Sequence, residues 1–277
     1  MSTASPIRNG AKEESDAPRY LILDTESVPD EKLVKLVKYP HEAITEPEAV
    51  RRAQAEARER SRNDSNFLPV SFQYPVAACV IRVGEDFRLQ SIRCIDSPQF
   101  RPREIVCGFW QGIARFPDAQ LVTFNGRGFD LPLLELAAFR YGCDLRTYLR
   151  NGRDRYRGNH IDLMDWATNF NAYRLIGGLN LLAKILGKPG KMEVVGEQVY
   201  EMFLRGERQA INDYCMFDTL DTYFVFLRTR VMMGALSLDD EQVLVREHAR
   251  EWITLKVPEY PALGKYLDNW GDWTPWP

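Results

Sequence analysis

The segment Tyr20-Leu21-Ile22-Leu23-Asp24-Thr25-Glu26-Ser27 constrains this chain most tightly. Four apolar or aromatic residues spell a buried strand, and two carboxylates follow with a single Thr between them. Successive side chains of a strand alternate faces, so Asp24 and Glu26 point the same way. At an effective dielectric of about 20, two unit charges about 4 Å apart repel by roughly 4 kcal/mol. A shared proton or a divalent cation offsets such repulsion. Oxygen donors without a neighbouring His or Cys favour Mg²⁺ or Mn²⁺ over zinc. Alone, the pair fits equally well a strand that ends at Leu23, with both acids in a solvated turn before Pro29.

The rest of the chain supplies ample material for a core. Its 277 residues are 45% hydrophobic, which fits one large domain or one domain with extensions. The 36 basic and 39 acidic side chains give a net charge of −3. Global attraction to a polyanion is therefore excluded, and any such binding rests on local basic patches or bound cations. Five scattered cysteines, without a C-x-x-C pair, read as buried reduced thiols. The polar N-terminus lacks an apolar signal region, and no apolar run approaches the roughly 20 residues of a membrane span. The expectation is a soluble cytoplasmic protein with a disordered tail over 1–18.

Apolar runs and turn residues predict strands at Tyr20–Leu23, Val76–Val83, Phe87–Cys94, Leu121–Phe124 and Ile161–Leu163. Helical periodicity is expected over Glu46–Arg62, Pro102–Phe116, Leu131–Tyr141, Leu179–Leu186, Val194–Leu204 and Gln209–Met233. Strands followed by alternation with helices imply an α/β protein with a mixed sheet flanked by helices.

Two further stretches carry acids at chemically suggestive places. Phe124-Asn125-Gly126-Arg127-Gly128-Phe129-Asp130 joins a strand to a helix, and its glycines allow close backbone approach. Asp130 opens that helix, where the macrodipole favours an ionised carboxylate and where an ordinary N-cap also fits. On the late helix, Tyr214 and Asp218 lie four apart and share a face. That helix is otherwise apolar, so Asp218 needs a partner. Asp221, on a neighbouring face, reads as a competing ligand or as a solvated or Arg-paired acid.

Together, D-x-E on an early strand, N-x-x-x-F-D at a strand-to-helix turn and Y-x-x-x-D on a late helix resemble the three motifs of DEDDy-type 3′–5′ exonucleases. The resemblance points to the predicted exonuclease family related to the exonuclease domain of family-B DNA polymerases. His160-Ile161-Asp162-Leu163, the run Leu179–Lys191, Gly196 and Tyr200 support it, and it spans about Arg19 to Arg230. It implies a ribonuclease-H-like fold, assigned to 19–254; residues 1–18 and the Trp-rich extension at 255–277 lie outside the resemblance. It also implies two Mg²⁺ or Mn²⁺ ions held by Asp24, Glu26, Asp130 and Asp218. By the same resemblance Asp24 bridges the ions, Glu26 and Asp218 complete the site, Asp130 acts at longer range through water, and Tyr214 orients the attacking water. Thr25, Asn125 and Phe129 are expected to touch substrate, with Asp162 and Lys191 as supporting residues; Asn125 fits a cap of its turn equally well, and Asp162 also reads as a buried structural acid. The implied reaction is hydrolysis of phosphodiester bonds at the 3′ end of single-stranded nucleic acid, DNA favoured. Its rivals are a catalytically silent nucleic-acid-binding module of the same fold, and an exoribonuclease acting on RNA or short oligonucleotides.

Other residues admit two readings. The segment 145–157 interleaves five Arg with Tyr148 and Tyr156, which suits a single-strand groove or a solvated loop. Arg51, Arg52, Arg58, Arg60 and Arg62 lie among Glu residues and read as a solvated helix. Lys184 and Lys188 read as surface lysines, and Lys191 as a phosphate contact. His160 reads as structural. Trp270, Trp273 and Trp276 sit among acids, so docking onto the protein's own surface is expected.

Overall fold

A computed structural model describes residues 17–61, 64–192 and 196–275. Arg62, the beginning of the helix expected from Val194, most of the 1–18 tail and Trp276 lie outside the described residues. Five strands, β1 (Tyr20–Pro29), β2 (Gln73–Val83), β3 (Leu89–Cys94), β4 (Gln120–Thr123) and β5 (His160–Asp162), form one sheet in the order β3-β2-β1-β4-β5. β1 pairs antiparallel with β2, and β2 with β3, whereas β1–β4 and β4–β5 are parallel. This is the mixed sheet expected of a ribonuclease-H-like fold. β1 runs six residues beyond Leu23, because its ladder with β2 continues through Asp24↔Cys79 and Glu26↔Ala77. The acids therefore lie within the strand, not in a solvated turn.

Between β1 and β2 lie α1 (Glu31–Lys38) and α2 (Glu46–Arg60), which bury Val34, Ala49, Val50 and Ala53 in a satellite cluster. The remaining connections use α3 (Pro102–Arg115), α4 (Asp130–Tyr141), α5 (Arg146–Asn151) and α6 (Leu163–Ala167). They are followed by α7 (Gly178–Ile185), α8 (Val199–Leu204) and the 25-residue α9 (Arg208–Met232). Gly142 ends α4 in the left-handed conformation, with φ 68°, as its position after Tyr141 predicts.

Strand parity assigns the two faces of the sheet. Leu21 and Leu23 of β1 point into a cluster with Ile105, Phe109, Leu131 and Leu134 of α3 and α4. Tyr20 and Ile22 point the other way, onto Met216, Leu220 and Tyr223 of α9. The sheet is thus covered on both faces, which explains the unbroken apolar run that opens β1.

The C-terminal chain closes over α9. A helical run of α10 (Leu238–Val243), a π-turn at Leu244–Ala249 and α11 (Arg250–Lys256) leads to α12 (Ala262–Asp268). Tyr266 and Trp270 are buried in the larger core cluster, and the Trp270 ring meets Phe224 edge-on at 4.9 Å. Arg228 stacks over Trp273 at 4.3 Å. The Trp-rich segment docks on its own domain. Lys188, read from sequence as a surface lysine, is 3% exposed. Its ammonium lies 3.9 Å from the Trp270 ring centroid and donates to the Gly271 carbonyl at 3.0 Å. The returning chain, invisible in the local pattern, is what buries it.

Candidate active site

The parity that arranges the core also builds the site. Asp24 and Glu26 share the face of Ile22, so they look toward α9, where Asp218 projects one turn beyond Tyr214. One carboxylate oxygen from each of Asp24, Glu26 and Asp218 lies within 4.8 Å of the others. Thr25 has the opposite parity and meets α4, where its hydroxyl donates to Asp130 Oδ1 at 2.6 Å. β4 pairs with β1 only as far as Ile22. Beyond that point the chain turns away into α4, leaving the edge of β1 open beside Asp24. The acids thus collect at the carboxyl ends of parallel strands, at the strand where the sheet changes direction, a usual place for ligands in open α/β sheets.

Asp130 is the first residue of α4 and is buried, but it does not serve as the N-cap, a position that falls to Phe129. Its carboxyl stands outside the three-acid cluster, next to it. Burial pushes Asp130 up to about 7, against the lowering effect of the Thr25 hydrogen bond. Asp24 is held well above the usual carboxylate range by burial and then by the charges of Asp130, Asp218 and Glu26. Glu26 is raised by burial and by Asp218 and Asp130. Asp218 is pushed up to about 6 by burial, while Lys191 and the Tyr214 hydroxyl oppose the rise. Four carboxyls therefore disfavour joint ionisation, the state that a divalent cation stabilises. Asp24 Oδ2 is buried without a hydrogen-bond partner, as expected of an oxygen that a cation would satisfy. The donor set fits hard cations: it is all oxygen, crowded and partly orphaned.

Tyr214 is buried, and its phenol hydrogen-bonds the Asp218 carboxylate. Burial and the charges of Asp218, Glu26 and Asp24 push its ionisation far upward. It is therefore a fixed donor at neutral pH, never a base.

The expected supporting residues take definite positions. Asp162 accepts from the backbone amides of Asn125 and Arg127 at 2.9 and 2.8 Å and caps α6 through Met164 N. It braces the turn that delivers Asp130. Asn125 adopts φ 64°, a left-handed conformation that Asn tolerates, and its carbonyl accepts from Gly128 and Phe129. The Phe129 ring lies 5.5 Å from that of Phe67, an exposed aromatic partner that no sequence motif marks. Lys191 is exposed, and its charge opposes the rise of both Glu26 and Asp218, so it stands at the cluster's rim. His160 bonds Thr123 Oγ1 at 2.9 Å and is pushed down to about 3 by burial, in keeping with a structural role.

Two readings need correction. Asp221 is neither solvated nor Arg-paired: it is fully buried and accepts from the Tyr266 hydroxyl at 2.7 Å. α12 covers that face of α9, which the helix pattern alone does not reveal. Tyr148 is buried and donates to Glu135 at 3.0 Å, so it cannot stack on a base.

The sheet order and the acidic cluster define the class, an α/β protein of ribonuclease-H-like fold carrying a candidate centre for hard cations. The model of the family described as "predicted 3′-5′ exonuclease related to the exonuclease domain of PolB" matches residues 65–270, and the chain belongs to that family. Asp130, Tyr214 and Asp218 fall within the matched residues. Asp24 and Glu26 precede them and join the site through the sheet. A DNA polymerase of Archaeoglobus fulgidus is 25% identical over 182 residues, 60% of this chain and 23% of the polymerase. The epsilon DNA polymerase of Emericella nidulans is 24% identical, in its catalytic polypeptide, over 133 residues, 46% of this chain and 6% of that polypeptide. The chain thus spans less than a quarter of the length of these curated relatives. The structure of a family B DNA polymerase from Pyrobaculum calidifontis superposes with a TM-score of 0.48 at 16% identity, covering 87% of this chain and 29% of that one. Among the described residues, no helix is long and apolar enough to cross a membrane.

Proposed function

We propose that this protein is a metal-dependent 3′–5′ exonuclease. It hydrolyses the terminal phosphodiester at the 3′ end of single-stranded nucleic acid, DNA in preference to RNA, and releases nucleoside monophosphates. The observation that carries this reading is the convergence of Asp24, Glu26 and Asp218 within 4.8 Å, with Asp130 held beside them by Thr25. Family membership supports the reaction class, and the kinship with DNA polymerases supports the substrate.

Asp24, Glu26 and Asp218 would hold two Mg²⁺ or Mn²⁺ ions, with Asp130 supporting from outside the cluster. When bound, such ions stabilise charge on the attacking and leaving oxygens and make water more acidic. The chain's own groups do the positioning. Tyr214 keeps its proton and fixes Asp218 by donating it in their hydrogen bond, so its phenol oxygen accepts from the water approaching the phosphorus. Phe129 and Phe67 offer ring faces beside the helix start for the terminal base. Water oxygen bonds to phosphorus, the bond from phosphorus to the 3′ oxygen of the preceding nucleotide breaks, and the proton lost by water balances the alkoxide released.

The test uses 5′-labelled single-stranded DNA and RNA with Mg²⁺, Mn²⁺ or EDTA, with Asp24→Asn and Asp218→Asn as controls. Stepwise shortening from the 3′ end, abolished by chelator and by both substitutions, is the expected result. Shortening that persists in EDTA would overturn the reading.

A further inference from the structure

We infer that the segment Arg150–Ile176, beside the catalytic turn, is a second contact surface for single-stranded nucleic acid that stacks unpaired bases and pairs with their phosphates. The inference rests on the nuclease reading and extends it to the strand beyond the scissile end.

The surface is built on Asp162, whose carboxylate binds the amides of the catalytic turn and caps α6. From α6 the chain coils into a compact knob held by its own hydrogen bonds. Phe170 N donates to the Asp165 carbonyl at 2.7 Å, and the Tyr173 hydroxyl to the Ala167 carbonyl at 2.6 Å. Asn169, Phe170 and Asn171 follow one another at φ 49°, 58° and 65°. Phe does not adopt that left-handed region without cause. The result is an aromatic ring fixed facing outward: Phe170 is 58% exposed and Tyr173 55%, with Trp166 beside them at 36%. Tyr156, in the Arg-rich loop before β5, is 86% exposed. Several exposed aromatic rings within one short segment point to an interaction site.

The charge pattern selects the occupant. Between Arg150 and Ile176 there are five arginines and three aspartates, with no Lys or Glu. Asp162 and Asp165 are buried, and Asp165 is paired with Arg127 and Arg155. Asp154 accepts from the amides of Tyr156 and Arg157 within its own loop. Arg153 and Arg155 are held by Glu135 and Asp165, so the charge offered to a ligand is that of Arg150, Arg157 and Arg174, and Arg155 already lies over the Phe170 ring at 5.2 Å. Ring faces interleaved with guanidinium groups complement a polyphosphate whose bases are free to stack, the pattern of sequence-tolerant single-strand binding. An apolar protein partner would not need charge of one sign.

The experiment measures fluorescence anisotropy of a labelled 20-nucleotide oligo(dT) in EDTA, so that binding is read without hydrolysis. Phe170→Ala and Tyr173→Ala are each expected to weaken affinity about tenfold, in line with one base–ring stack apiece. Phe170→Tyr, which keeps a ring, retains wild-type affinity. Arg174→Gln lowers the slope of log affinity against log salt by about 0.7, the loss of one single-strand phosphate contact. Melting temperatures of the variants show that the fold persists. Unchanged affinity in both ring variants, or no binding by the wild type, overturns the inference. Hydrolysis measured separately in Mg²⁺ keeps the two readings apart. Ring-dependent binding without hydrolysis would refute the nuclease and leave this surface standing; hydrolysis with ring-independent binding would do the reverse.

Discussion

Thr25 and Asp130, 105 residues apart in the chain, are joined by a 2.6 Å hydrogen bond from hydroxyl to carboxylate. The bond ties the central strand to the first residue of α4. It stabilises the ionised form of an acid that burial nevertheless holds up at about 7. Thr25→Val keeps the shape and removes the donor, so the Asp130 pKa rises further. A hydrogen bond to a charged group is worth about 1.5–3 kcal/mol, so the acid limb of the pH–rate profile moves up by about one pH unit or more. An unmoved limb would show that Asp130 ionisation does not govern the rate.

Tyr214→Phe removes the donor that fixes Asp218. The expected loss in kcat is about 10–100-fold, from a bond to a charged group worth about 1.5–3 kcal/mol. Because burial and neighbouring carboxylates hold the phenol protonated, the wild type and the variant show the same alkaline limb. A limb that vanishes in the variant would mean that tyrosinate is the working form.

The acids of the site are legible in the sequence because each sits in a local pattern of strand, turn or helix that survives folding. Alternation along β1 places Asp24 with Glu26, and a helical repeat places Tyr214 with Asp218. Asp221 and Lys188 defeat a local reading for a shared reason: the chain from Tyr266 to Gly271 returns to cover them, and a helical pattern cannot show what arrives from far along the sequence. No helix is expected from the sequence directly after β1, although Asp30 caps α1 by accepting from Leu33 N. Arg146, Arg153 and Arg155 look free for substrate in the sequence, yet they pair with Asp144, Glu135 and Asp165. The partner of Arg146 stands two residues away in the sequence, whereas those of Arg153 and Arg155 are brought up by the fold.

Stability should respond to pH in a characteristic direction. Asp130 and Asp218 have folded-state values of about 7 and about 6, above an unfolded carboxylate near 4. The folded protein therefore binds more protons than the unfolded chain across that interval, so these groups lose stability as pH rises from about 4 to about 7. His160, lowered to about 3, acts in the opposite sense below about 6.5, so the difference between proteins is the cleaner measure. In EDTA, the melting temperature of Asp130→Asn relative to wild type should rise between pH 5 and pH 8. A flat difference would mean that the carboxyl is not raised.

The C-terminal segment should behave as part of the domain. Tyr266→Phe removes the donor to buried Asp221, at an expected cost of about 1–3 kcal/mol. Trp270→Ala opens a cavity beneath Lys188 and beside Phe224, at a cost of about 3–5 kcal/mol. Denaturant titrations should show one cooperative transition shifted to lower midpoint. Two separated transitions, with the first moved alone, would show that the segment unfolds by itself.

The central claim is that Asp24, Glu26 and Asp218 form a cage for divalent cations, and calorimetric titration of Mn²⁺ into metal-free protein near pH 7.5 tests it most directly. Two ions per chain are predicted, with binding weakened about 10²-fold or more in Asp24→Asn, since each charged ligand contributes several kcal/mol. Equal Mn²⁺ binding by the wild type and Asp24→Asn would contradict the account.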